Sequence, residues 1–187
     1  MSAFVSDEQL ALWLTELRLP GVRDRLSNLL DEAGRQQLSL RDFVVQLCRH
    51  ELQSKRAARQ VRRLQQARFP MVRELADYDC QAQPSVTPEQ LQELGTARWL
   101  AHGENVILVG PPGVGKSHLA IGLGRAAIQH DYSVLYVSAA SLMASLTRAY
   151  DTEQWDTCLR SFIKPQLLII DEFGYLPVPA SAAHLLF

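Results

Sequence analysis

Eight residues, GPPGVGKS at positions 110–117, constrain this chain more than any other stretch. Gly110, Gly115, Lys116 and Ser117 fill the spacing G-x-x-x-x-G-K-[ST]. An apolar run, NVILV, leads into them, and SHLAIGLGRAAIQH follows with helical character. Strand, loop and helix in that order are what a backbone cradle for phosphate needs. A β-carbon at the glycine positions would block the approach or the required dihedrals. The helix that follows turns its positive end toward the anion. Gly110, Pro111, Pro112, Gly113, Val114 and Gly115 then form the cradle. Lys116 reaches the β- and γ-phosphates, as a binding and a catalytic residue, and the Ser117 hydroxyl ligates Mg2+. His118 is counted with the nucleotide-binding residues, although it reads as packing or solvent-facing rather than catalytic. The expected cofactors are a nucleoside triphosphate and Mg2+.

The pattern around the loop extends it to an α/β domain. SVLYV reads as a second strand, AASLMASLTRAY as a helix, WDTCLRSFI as another, and LLIID as a third strand. Continuously apolar strands alternating with helices imply a parallel sheet covered on both faces. Asp171 and Glu172 close the last strand, at the end where such sheets bind ligands. Asp171 is expected to hold the metal through water, and Glu172 to orient the attacking water as the second catalytic residue. On its own, an Asp-Glu pair simply ends many strands; the phosphate loop upstream favours the catalytic reading.

The chain before the loop reads as helical. Ser6 is a candidate cap for a helix carrying Leu10, Trp13, Leu14 and Leu17, stopped by Pro20 and Gly21. Val22, Leu26, Leu29 and Leu30 mark a second helix. A third opens at Ser39 and could run to Phe69, ahead of Pro70. Residues 71–86 lack a period and read as a connection, and TPEQLQELGTARWLAHG reads as one further helix ending at Gly103. The expected organisation is a helical N-terminal domain over 1–70, a linker over 71–86 and a nucleotide-binding domain over 87–187.

The 187 residues are 47% hydrophobic and 21% charged, a soluble globular composition. Cys48, Cys80 and Cys158 are scattered, which fits a reduced, cytoplasmic setting rather than a zinc site or disulfide framework. His50, His102, His130 and His184 show no metal spacing. No run reaches transmembrane length, so no membrane partner is expected. A net charge of −1 conceals an uneven distribution: residues 49–73 hold eight Lys or Arg against one acid, Glu51. Within them Lys55, Arg56, Arg59, Arg62 and Arg63 recur at helical spacing. Charge runs usually form solvated faces, but those mix signs. A stripe nearly free of acids suits a DNA backbone, bound without base readout and with strong salt dependence.

With these residues set out, LTELRLPGVRDRL, ARFP, ENVILVGPPGVGKSHLA and LLIIDEFGYLP together resemble the IstB-like family, over nearly the whole chain. These are AAA+ ATPases encoded beside transposases in insertion sequences, and they are similar to DnaC-type helicase loaders. The resemblance implies a P-loop NTPase fold with an AAA+ parallel sheet, ATP as nucleotide, a homo-oligomer on DNA, and delivery or regulation of a transposase. Gly110 to Ser117 match the family's Walker A loop, and Asp171 and Glu172 its Walker B pair; Phe173 stands where Leu is more usual. The family's chains continue through a fourth and fifth strand carrying the sensor-1 residue and the arginine finger. The resemblance therefore implies a C-terminally truncated copy with an incomplete sheet. The family's strand order, 5-1-4-3-2, would leave residues 105–109 and 167–171 without their shared neighbour. Two other readings are a helicase loader with the same site, and a DNA-binding fragment without turnover.

Overall fold

The computed structural model describes residues 5–173. SAAHLLF at 181–187, whose sequence reads as the start of a helix, lies outside them. The chain divides into two compact units, Met1–Val61 and Arg62–Phe187, with the division falling inside one long helix.

Three helices build the first unit: α1 (Asp7–Glu16), α2 (Pro20–Arg35) and α3 (Leu40–Ala67), the last running on into the second unit. Local caps set two of the starts. The Ser6 hydroxyl accepts the Gln9 N–H at 3.2 Å, and the Ser39 hydroxyl accepts the Asp42 N–H at 3.2 Å. Of the stripe predicted for α1, Leu14 is buried, whereas Trp13 and Leu17 remain exposed. Helix α2 has no cap of its own. Its Val22 N–H, which has no partner within the helix, donates at 2.9 Å to the carboxylate of Glu51, which is 5% exposed and arrives from α3. A negative charge at the positive end of α2 is favourable, and Lys55 Nζ lies 3.4 Å from the other carboxylate oxygen.

In the second unit a single turn of 3-10 helix (Leu75–Asp77) is followed by α4 (Pro88–Gly95), α5 (Arg98–Ala101), α6 (Lys116–Gln129), β1 (Val134–Ser138), α7 (Ala139–Asp151), α8 (Trp155–Ile163) and β2 (Leu167–Asp171). Thr87 and Gln90 form a full capping box at α4. The single helix predicted from Thr87 to Gly103 is two, because Ala97 adopts a left-handed φ of +55° between them. Strands β1 and β2 pair in parallel, with Val134 opposite Leu167 and Ser138 opposite Asp171. Ala67, Ala97, Ala127, Ile128, Val134 and Ile169 form the buried cluster beneath them. Two glycines in α6 allow close packing there. A β-carbon on Gly124 would stand 2.7 Å from Ile169 and 2.8 Å from Phe69, and one on Gly122 would stand 2.7 Å from Leu75.

One expected strand is absent. Residues 105–109 form no ladder with any described segment, and Ile107 and Val109 are 82% and 89% exposed. A strand is half of a ladder and needs a lateral partner for its N–H and C=O groups. Strands β1 and β2 take each other as partner, and no third strand lies among the described residues.

Replacing Glu51 by Ala strips the buried Val22 N–H of its acceptor. The expected loss is about 1–3 kcal/mol in urea unfolding followed by helical circular dichroism. Glu51→Gln keeps a carbonyl oxygen in place and should lose clearly less; equal losses would show that the hydrogen bond contributes nothing.

Candidate functional site at the start of α6

The phosphate-loop sequence folds into a turn that ends on α6. Gly113 and Gly115 have φ of +84° and +86°, the left-handed region that side chains disfavour, and α6 begins at Lys116 immediately after. Lys116 curls back over the loop, its Nζ donating to the carbonyls of Gly110 at 2.8 Å and Pro111 at 2.7 Å. The loop is thereby closed by the ammonium of its own lysine. The first turn of α6 carries no side-chain cap, so its N–H groups remain available to an anion.

The end of β2 meets this turn. Asp171 accepts hydrogen bonds from the Tyr136 hydroxyl at 2.5 Å and from the Glu172 N–H at 2.9 Å, and the Ser117 hydroxyl stands near enough to favour its charged form. Partial burial pushes its pKa upward. The Tyr136 hydrogen bond, the Ser117 hydroxyl, the Glu172 backbone N–H and the Lys116 charge outweigh that and hold the carboxyl below its usual value. The Tyr136 phenol is pushed well above its ordinary pKa by burial, then by its bond to Asp171 and the charges of Asp171 and Glu172. It therefore stays a donor. Glu172 follows directly, exposed and with φ of +60°.

A strap drawn from the expected linker covers the first turns of α6. The Tyr78 hydroxyl donates to the Val114 carbonyl at 3.3 Å, and its ring meets that of His118 edge-on at 5.5 Å between centroids. His118 Nε2 lies 2.9 Å from the Glu74 carbonyl, and Arg125 pairs with the Glu74 carboxylate. Burial, then the nearby Cys80, raises the Tyr78 pKa. Sequence reasoning missed Tyr78 and Tyr136. Tyr78 sits in a stretch without a period. Tyr136 had one available signal, a hydroxyl in an otherwise apolar strand.

Lys116, Ser117, His118 and Asp171 are thus brought together with the loop, and Glu172 adjoins them. The five basic residues lie on α3: Lys55, Arg56 and Arg59 in the first unit, Arg62 and Arg63 in the second. Arg63 pairs with Asp131 at 3.1 Å and Lys55 with Glu51, while Arg56, Arg59 and Arg62 are exposed.

The profile of the family described as IstB-like ATP binding protein matches residues 13–187. The chain is 34% identical over 180 residues to an insertion sequence IS5376 protein of Geobacillus stearothermophilus that is named for ATP binding, covering 96% of this chain and 72% of that one. It is 34% identical over 179 residues to the corresponding IS21 protein of Pseudomonas aeruginosa, covering 96% and 68%. A Bacillus thuringiensis relative from IS232 is 31% identical over 182 residues, covering 97% and 73%.

The two left-handed glycines are not equivalent. A β-carbon on Gly113 meets nothing within 4 Å, whereas one on Gly115 would stand 2.9 Å from the Tyr78 ring. Gly113→Ala should lose about 1 kcal/mol from dihedral strain alone. Gly115→Ala should lose more, since the ring is tied to Val114 and cannot yield freely. Urea unfolding without nucleotide measures both, and equal losses would mean that the strap moves aside without cost.

Proposed function

The chain belongs to the IstB-like ATP binding protein family, and on that footing we propose that it binds ATP with Mg2+ at residues 110–117 in the service of insertion-sequence transposition. The observation that carries the proposal is the convergence at the first turn of α6. Lys116 closes the loop, and Ser117 stands beside Asp171 at the end of a parallel strand. Backbone N–H groups of the loop and the helix start hold phosphate oxygens. Lys116 exchanges its two carbonyl partners for the β- and γ-phosphates. A hydroxyl and a carboxylate are hard oxygen donors of the kind Mg2+ takes, so Ser117 would ligate the ion and Asp171 would hold it through water. Bound Mg2+ neutralises charge on the phosphates. Glu172 orients the attacking water.

The proposed partners are DNA, a transposase and further copies of the chain. Lys55, Arg56, Arg59, Arg62 and Arg63 would meet phosphates of the DNA backbone. The cytoplasm is the proposed location. Two observations are compatible with it: Cys48, Cys80 and Cys158 are unpaired, and no helix among the described residues is long and apolar enough to cross a membrane.

A ligand that binds only the folded state raises its stability by about 2.7 kcal/mol at a hundredfold excess over Kd. ATP with Mg2+ should raise the thermal midpoint accordingly, and Lys116→Ala should abolish the rise. A rise that persists in Lys116→Ala would place the nucleotide elsewhere.

For DNA, Arg56→Ala with Arg62→Ala should weaken binding to duplexes of different sequence alike. The slope of log K against log salt should become shallower by about 2, one for each phosphate no longer neutralised. An unchanged slope would remove α3 from the DNA interface.

A further inference from the structure

We infer that Tyr136 is a positioning residue for the metal-holding carboxylate: its hydroxyl, offered from the neighbouring strand, fixes the orientation in which Asp171 meets Mg2+. The inference rests on the nucleotide-site reading above and adds a residue to it.

The strand register delivers this hydroxyl. Tyr136 on β1 stands opposite Ile169 on β2, and Asp171 is two residues further along. Residues two apart on a strand share a face, so Tyr136 and Asp171 are diagonal neighbours on one side of the sheet, within reach of a long side chain. The bond that results is 2.5 Å. The ring is held in turn by Phe69, edge-on at 6.2 Å between centroids. A phenol backed by another aromatic ring is a rigid arm, and its tip lies at the carboxylate.

Packing does not call for the hydroxyl. The backbone ladder already fixes the pairing of β1 with β2, and phenylalanine would fill the same space. A half-buried hydroxyl among apolar neighbours is a burden unless bonded. Here Asp171 supplies that bond. The carboxylate thus has two donors, Tyr136 on β1 and the backbone just past β2. These two leave Ser117 to turn to the metal while the carboxylate stays aimed.

The test is calorimetric titration of the full chain with ATP, in EDTA and across a MgCl2 series, for the unsubstituted protein, Tyr136→Phe, Asp171→Asn and the double variant. Tyr136→Phe should raise the Mg2+ concentration at half effect about tenfold, the scale of one hydrogen bond to a charged group. Binding in EDTA should stay unchanged. In the Asp171→Asn background the same substitution should add nothing, because the carboxylate it positions is gone. An unaltered Mg2+ dependence in Tyr136→Phe, with a clear effect of Asp171→Asn, would overturn the inference and leave the nucleotide site standing. Equal loss with and without Mg2+ would show that the hydroxyl only supports the fold, and would also overturn it. No effect of Asp171→Asn on the Mg2+ dependence would remove Asp171 from the metal, and Tyr136 with it.

Discussion

The carboxylate of Asp171 is the point at which the separate elements of the second unit become one site. It accepts the Tyr136 hydroxyl from β1 and the backbone N–H of Glu172, and the Ser117 hydroxyl in the first turn of α6 stands beside it. Each donor reaches it only if the fold holds. Parallel pairing of β1 with β2 brings Tyr136 to the same face. Packing of α6 beneath β2 brings Ser117 to the strand's end. The same close approach lets the Lys116 charge act on Asp171 and helps keep it ionised despite partial burial. The ionised form is the one that a cation needs, so the fold and the chemistry demand the same geometry.

Helix α6 achieves that approach by giving up helix propensity. Glycine inside a helix costs about 1 kcal/mol relative to alanine, and α6 contains two. In return Ile169 and Phe69 sit directly against Gly124, and Leu75 against Gly122. The packing of Leu75 matters for the loop. Leu75 belongs to the strap that continues to Tyr78, and Tyr78 holds the Val114 carbonyl beside Gly115. The edge-on ring of His118 and the Glu74–Arg125 pair fasten the strap along the same helix. The phosphate loop is thus supported from outside by a segment whose sequence looks like a plain connection.

What the sequence made legible was what depends on neighbours along the chain. Ser6, Ser39 and Thr87 announced helix starts because a cap acts over three residues. The phosphate loop was legible for the same reason, since its spacing is itself the geometry. Long-range relations were not. Glu51 caps α2 from 29 residues away, Tyr136 meets Asp171 across 35, and Tyr78 meets Val114 across 36. Residues 105–109 have the composition of a strand, but pairing is a property of two segments and cannot be read from one. Ala97 ends a helix in a left-handed turn without the glycine that would have signalled it.

The helix starts differ in what meets them. The positive end of α2 is filled from within by the Glu51 carboxylate, and four others, those of α1, α3, α4 and α7, by serine or threonine hydroxyls. Helix α6 receives no such cap, but that alone would not single it out, because Ala97 and Gln154 leave α5 and α8 without one as well. The difference lies in what surrounds the open end. At α6 a left-handed glycine turns the chain so that an ammonium, a hydroxyl and an ionised carboxylate converge. An uncapped start becomes a candidate anion site when a cation and metal-type oxygen donors stand with it, and α6 meets that condition.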